Sequence, residues 1–322
     1  MTISVLGGGA FGTALAIAKA STQDVILWAH NPDHVASMIA DRENKKRLPG
    51  VPLPSNLKIT EYLHQAVAGV DAILFAVPLQ STGVLAKQVS EISKNIPVVG
   101  CSKGIDLISG KGGFGLLESF FGPDRTSVLT GPSFAADIAV GKPTALTLAT
   151  KSRELGQDLQ KVLSNKTLRL YVSNDPLGAE LGGGLKNVIA IACGIVMGAD
   201  LGESARAAII TRGFSEIRKF ALNQGADPET LSGLSGFGDL CLTCTSSKSR
   251  NYQFGLALGQ GTKFASDATV EGMHTARAML EICKSQGLEM PITMAVARIV
   301  QGELDVHQAM AQLLTRPLKE EF

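Results

Sequence analysis

The sequence predicts a doubly wound α/β sheet followed by an all-helical domain. Three observations carry this. The chain has 322 residues, beyond the size at which one core usually keeps growing, which favours two domains. Its first half alternates short, continuously apolar runs with helical stretches, the pattern of parallel strands buried on both faces. After residue 174 no convincing strand candidate follows, and long helical patterns take over. The expected domains are therefore 1–174 and 175–322.

Taken in order, residues 2–6 read as a strand, 10–20 as a helix, 24–28 as a second strand and 32–42 as a second helix. Residues 44–54 are polar, then Pro-rich, and read as a surface loop. Further strands are expected at 57–60, 72–77, 97–101, 127–130, 145–149 and 168–172, with helical patterns between most of them. Asp175-Pro176 then supplies a cap and a first-turn proline for a helix over 178–197. Helical patterns follow at 205–223, 252–258, 273–286 and 293–300. The longest apolar run, 188–199, is shorter than the ~20 residues that span a bilayer, so it reads as a buried core helix.

Composition narrows the partners. Thirty basic residues stand against 29 acidic ones, a net charge of +1. That balance gives no case for nucleic acid or an acidic membrane surface, so an anionic ligand must be held by a local site. The apolar start has no basic leader before it, which makes the cytoplasm the default location. Five cysteines in this length are no disulfide framework. Cys241 and Cys244 form a C-x-x-C without the second pair of ligands that zinc needs, so no metal is expected.

Gly7-Gly8-Gly9-Ala10-Phe11-Gly12 contains G-x-G-x-x-G between a strand and a helix. In that context it is the fingerprint of a Rossmann-type dinucleotide domain. Gly7 allows the tight turn, Gly9 lets a pyrophosphate approach the backbone, and Gly12 lets the helix pack on the strand. The helix N-terminus then faces the phosphates. The second strand ends Trp28-Ala29-His30-Asn31-Pro32. It lacks the acid that would bond an NAD ribose and repel a 2′-phosphate, since Asp33 falls inside the next helix. NADP is therefore permitted, NADPH is expected to serve at least as well as NADH, and His30 is a candidate neighbour of the adenosine ribose.

Later segments add a set of motifs: Cys101-Ser102-Lys103-Gly104-Ile105, Gly131-Pro132-Ser133-Phe134-Ala135, Gly182-Gly183-Gly184-Leu185-Lys186-Asn187, Gly236-Phe237-Gly238-Asp239-Leu240, Ser249-Arg250-Asn251-Tyr252 and Val270-Glu271-Gly272. With the glycine turn and Trp28-Ala29-His30, this set resembles the bacterial-type NAD(P)-dependent glycerol-3-phosphate dehydrogenases, from Ile3 to about Leu314. The resemblance implies an active site between the two domains. It also implies reversible reduction of dihydroxyacetone phosphate to sn-glycerol 3-phosphate, a precursor of phospholipids. Lys186 would be the catalytic acid/base. Lys103, Gly131, Ser133, Asp239, Ser249, Arg250 and Asn251 would line the substrate. Ala10, Phe11, His30, Lys103, Ala135, Arg250, Val270 and Glu271 would touch the cofactor. One departure is mild: the position of Phe11 often holds another aromatic in the family.

The residue types suit that chemistry. Hydride transfer to a ketone builds negative charge on oxygen, which a proton donor and cations relieve. Lys186 opens an apolar helical run. Its ammonium must drop from a reference pKa of ~10.4 to act near neutrality. Burial and Lys103 would lower it and Asp239 would oppose them, with the winner left open by the sequence. Ser249-Arg250-Asn251 comes just before a helix pattern, so hydroxyl, guanidinium, amide and helix N-terminus could converge on one phosphate. Lys248 reads as solvated, and Glu271, in the Thr269-to-Gly272 turn, could bond a ribose hydroxyl or amide. Dehydrogenases of the 6-phosphogluconate or 3-hydroxyacyl-CoA type share the first motif but not the later ones. A dinucleotide-binding redox sensor would need neither Lys186 nor Arg250. The sequence leaves the oligomeric state open, a homodimer being compatible with it.

Overall fold

The structure is a computed structural model that describes residues 1–264 and 270–315. Thr269 and the end of the expected second domain, 316–322, lie outside the described residues. The strands are β1 (Thr2–Leu6), β2 (Asp24–Trp28), β3 (Glu43–Asn44), β4 (Leu48–Pro52), β5 (Lys58–Thr60), β6 (Ala72–Phe75), β7 (Val98–Gly100), β8 (Thr126–Thr130), β9 (Thr144–Ala149) and β10 (Leu168–Ser173). Among them run helices α1 (Ala10–Ala20), α2 (Pro32–Asp41), α3 (Leu63–Val67), α4 (Leu79–Ile92), α5 (Gly113–Phe121), α6 (Ala135–Ala139) and α7 (Arg153–Leu163).

Eight strands form one sheet in the order β10-β9-β8-β7-β6-β1-β2-β5. From β5 to β8 every pairing is parallel. The order reverses between β1 and β6, the crevice where doubly wound sheets take ligands at the carboxyl ends of their strands. Alternate residues feed two cores. Leu74 and Val99 point to one face with Ile3, Leu27 and Leu146, whereas Ile73, Phe75 and Val98 point to the other with Leu6 and Leu117.

The expectation of parallel strands fails at one joint, because β9 pairs antiparallel with β8. Their connection carries only the five-residue α6, not a full crossover helix, so the chain turns back at the same end of the sheet. This keeps residues 131–139 at the carboxyl ends of the parallel strands. A second correction concerns 44–54, expected as a surface loop. It takes part in the antiparallel pair β3–β4, which begins at Glu43. Asn44 is fully buried, donating to the Gly8 carbonyl at 3.0 Å and to Thr13 Oγ1 at 2.8 Å. Leu48 and Val51 pack on Ala14 and Ala18. Two-residue pairing next to prolines leaves no periodicity to read.

Beyond β10 the described chain is helical: α8 (Pro176–Gly198), α9 (Glu203–Asn223), α10 (Pro228–Ser232), a π-helical turn (Leu234–Gly238), α11 (Asp239–Thr245), α12 (Arg250–Gly259), α13 (Glu271–Gln286), α14 (Pro291–Val300) and α15 (Val306–Leu314). Asp175 caps α8, accepting from the Gly178 amide at 2.8 Å. α8 is long and apolar enough to cross a membrane by length and composition, yet 89% of its most apolar stretch is buried inside the protein. Val188, Ile189 and Ile191 form a core with Phe220, Met279, Leu280 and Val296, so α8 is the axis of the helical unit. The short helices α10, α11 and α15 and the π-helical turn fall outside the periodic stretches of the sequence.

Candidate active site

Three consecutive glycines in α8 bring three distant segments together. A Cβ at Gly182 would stand 2.9 Å from the Ser235 carbonyl oxygen of the π-helical turn. At Gly183 it would stand 2.5 Å from Thr130 Oγ1, and at Gly184 3.1 Å from the Gly104 backbone. These are distances that real Cβ atoms avoid, so the absent side chains let α8 touch the end of β8, the loop after β7 and the turn before α11. Glycine costs helix stability, and here it is used for close approach. Lys186 and Asn187 follow on the same part of the helix.

Lys186 is buried, and its Nζ meets Asp239 Oδ1 at 2.5 Å and Thr243 Oγ1 at 2.7 Å. The Thr243 hydroxyl donates in turn to the Asp239 carbonyl at 2.6 Å. Asp239, fully buried at the start of α11, gives its other oxygen to Lys103 Nζ at 2.7 Å. Lys103 also donates to the Gly131 carbonyl at 3.3 Å. One carboxylate thus bridges two cations, one from the sheet unit and one from the helical unit. The Lys186 pKa is lowered to about 7: burial is the largest influence, Asp239 opposes it and Lys103 adds to it. Desolvation therefore wins the contest that the sequence leaves open.

Around this cluster stand the other polar groups. Ser133 Oγ donates to the Gly131 carbonyl at 3.2 Å. Ser249 caps α12, accepting from the Tyr252 amide at 3.2 Å. That helix starts at Arg250, two residues earlier than its periodicity suggests, so Arg250 and Asn251 lie in its first turn. Arg250 is exposed. Asn251 Oδ1 accepts from the Gly272 amide at 3.0 Å, and a Cβ on Gly272 would lie 2.8 Å from both Asn251 Oδ1 and the Asn187 carbonyl. Asn251 is therefore beside the helix residue that follows Lys186. Val270 is buried just before α13, and Glu271 opens that helix. Burial raises the Glu271 pKa, and Arg250 lowers it. Lys248, largely exposed, pairs with Asp137 of α6 at 3.4 Å.

At the far end of the crevice Gly7 has φ +131°, and a Cβ there would overlap the Ala76 carbonyl. A Cβ at Gly12 would overlap the Gly7 carbonyl, whereas none would meet an atom within 4 Å at Gly9. Open space at Gly9, before the first turn of α1 at Ala10, fits a dinucleotide pyrophosphate. Phe11 and Ala135 of α6 both pack against the cluster of Ala14, Ala18 and Ile138. His30 is exposed after β2, its ring 6.5 Å from that of Trp28, and it makes no contact with the lysine cluster.

Residues 2–156 match the NAD-dependent glycerol-3-phosphate dehydrogenase N-terminus, and residues 175–311 match the C-terminus of the same family. The chain belongs to the NAD-dependent glycerol-3-phosphate dehydrogenase family. It is 52% identical to the NAD(P)+ glycerol-3-phosphate dehydrogenase of Ruegeria sp. (strain TM1040), and 50% identical to that of Roseobacter denitrificans, each over the full length of both chains. The crystal structure of glycerol-3-phosphate dehydrogenase from Coxiella burnetii superposes with a TM-score of 0.94 at 36% identity, covering 98% of this chain and 99% of that one.

In this family member the structure brings Lys103, Gly131, Ser133, Lys186 and Asp239 into one cluster and sets Ser249, Arg250, Asn251, Val270 and Glu271 along its helical side. Gly7, Gly9, Ala10, Phe11, Gly12 and Ala135 gather at the sheet end, with His30 apart. Sequence reading misses Thr243, although its position four residues after Asp239 on one helix is a usable signal. It also misses Thr130, whose buried hydroxyl has no hydrogen-bond partner and faces Gly183. Cys241 and Cys244 form no disulfide, and Cys244 is buried.

Proposed function

We propose that this chain reduces dihydroxyacetone phosphate reversibly to sn-glycerol 3-phosphate with NADH or NADPH, and so feeds glycerophospholipid synthesis. The observation that carries it is the buried Lys186–Asp239–Lys103 cluster at the open end of a dinucleotide-binding sheet. When bound, the reduced nicotinamide supplies the hydride. Lys186 gives its proton to the substrate oxygen as charge develops there, and a pKa near neutrality suits it to take that proton back in the reverse direction. Asp239 fixes both ammonium groups, and Lys103 adds a second positive charge beside the reacting oxygen. Gly131 and Ser133 line the substrate from the sheet side. Ser249, Arg250 and Asn251 hold its phosphate at the first turn of α12, where hydroxyl, guanidinium and helix amides favour an anion.

Gly7, Gly9, Ala10, Phe11 and Gly12 take the cofactor's pyrophosphate side, His30 its ribose, and Lys103, Ala135, Arg250, Val270 and Glu271 the remainder. We divide the chain at residue 174, into a dinucleotide-binding domain (1–174) and a helical catalytic domain (175–322). Partners are small molecules, without nucleic acid. The proposed setting is the cytoplasm and the proposed assembly a homodimer, which sedimentation of the purified protein tests. The function itself is tested by loss of NAD(P)H absorbance on addition of dihydroxyacetone phosphate, with sn-glycerol 3-phosphate identified as product. Absence of substrate-dependent loss with either cofactor would overturn the reading.

A further inference from the structure

Residues 44–47 form a tight turn at the tip of the β3–β4 pair, and its position gives it a use. The turn is anchored on both sides of the place where a dinucleotide's adenosine ribose must lie. On one side Asn44 Nδ2 donates to the Gly8 carbonyl at 3.0 Å, inside the glycine loop. On the other, Asn44 Oδ1 is 2.9 Å from His34 Nε2, and the His34 amide donates to Asn31 Oδ1 at 2.8 Å, the cap of α2. The Arg47 amide lies 3.2 Å from the same Asn44 Oδ1. In a doubly wound sheet the pyrophosphate sits on the first loop and the ribose 2′ position at the end of the second strand. The turn is wedged between those two points.

Three consecutive cations, Lys45, Lys46 and Arg47, occupy it, all exposed. The nearby carboxylates are largely committed. Asp41 pairs with Lys45 at 2.8 Å, and Glu43 accepts from the Gly50 amide at 2.7 Å. Asp33 lies in the first turn of α2. Lys46 and Arg47 form no ion pair among the described residues. We propose that Lys46 and Arg47 recognise the 2′-phosphate of NADPH and set the chain's cofactor preference. A phosphate dianion there meets two uncommitted cations, one of them a planar guanidinium able to bind two oxygens. NADH leaves them solvated and loses nothing. The proposal rests on the dehydrogenase reading for its kinetic form but not for its binding form.

The test is the double variant Lys46→Ala/Arg47→Ala. Its kcat/KM with NADPH should fall about ten- to a hundredfold, the scale of one or two charge-assisted contacts, while that with NADH stays within about threefold. The retained NADH rate also shows that the variant folds. In parallel, calorimetry measures the binding of adenosine 2′,5′-bisphosphate and of 5′-AMP, which requires no turnover. The wild-type chain should bind the bisphosphate at least about tenfold more tightly, and the variant should bind the two alike. A preference that persists in the variant, or equal losses for both cofactors and both nucleotides, overturns the proposal. A wild-type chain that discriminates the nucleotides yet turns over neither cofactor would instead sink the dehydrogenase reading and leave this site standing.

Discussion

Among the described residues two lysines, Lys19 and Lys186, lose nearly all contact with solvent, and their surroundings give them different work. Lys19, on α1, donates to the Val162 carbonyl at 2.8 Å, tying that helix to the end of α7. Lys186 is held by a carboxylate and a hydroxyl at the head of a crevice. Burial lowers both, Lys19 to about 8 and Lys186 to about 7, so a lowered pKa alone does not mark the acid; position does. The sign of the resulting pH dependence follows from the direction of reaction. With Lys186 as the proposed acid, reduction requires its ammonium form, so its kcat/KM should be level below about pH 7 and fall above it, whereas oxidation requires the amine and should rise across the same range. Parallel pH profiles in the two directions would remove Lys186 from the proton transfer. Arg250 is tested by a ratio. Arg250→Ala should cost roughly ten- to a hundredfold in kcat/KM for dihydroxyacetone phosphate, a charge-assisted contact of ~1.5–3 kcal/mol. It should matter much less for unphosphorylated dihydroxyacetone. Equal losses on both substrates would place the phosphate elsewhere.

The element that organises the site is α8, and its glycines act at two levels. Gly182, Gly183 and Gly184 admit the three segments of the candidate site. Gly194 and Gly198 admit α12, where a Cβ at Gly194 would overlap the Tyr252 carbonyl. Alanine is better than glycine in a helix by ~1 kcal/mol, so Gly194→Ala sets propensity against overlap. Overpacking typically costs 1–3 kcal/mol, and overlap with a backbone atom cannot be relieved by a rotamer change. We expect net destabilisation, seen as a lower urea midpoint. Gly115 in α5 is the control, since the nearest atoms a Cβ there would meet belong to the flexible Lys111 side chain, from 3.4 Å. Gly115→Ala should hold or raise the midpoint, with a gain in unfolding free energy of up to ~1 kcal/mol. If both substitutions shifted stability alike, close approach would not be the reason for the α8 glycines. Strong periodicity made α8, α9 and α13 legible in the sequence to within two residues. The β3–β4 pair was not legible, because it is held by one buried asparagine and two packed side chains, not by a repeating pattern. The reversal at β9 was equally hidden: β8 and β9 are each buried along most of their length whichever way they run, and direction is set by the short connection.

At the scale of the whole chain, the sheet unit and the helical unit have largely distinct cores, joined where Ala179 of α8 packs with Phe114, Val128 and Ala149 and where Ile105 enters the helical core, and the candidate site lies where they meet. Lys103 comes from one, Lys186 and Asp239 from the other, and the ion pairs at 2.7 and 2.5 Å close the junction. The motifs of this cluster were readable because each needs a particular residue type. Their mutual distances were not, since residues 103, 186 and 239 are brought together by long-range packing. Thr243 and Thr130 escaped for the same reason, as hydroxyls whose role depends on what faces them. The most direct test of the account is the turnover of Lys186→Met with saturating dihydroxyacetone phosphate and NADPH, read beside its NADPH affinity by fluorescence titration. The account predicts kcat lower by ~10²-fold or more, the scale of a lost general acid, with NADPH affinity unchanged. A variant that keeps half of the wild-type kcat would contradict it.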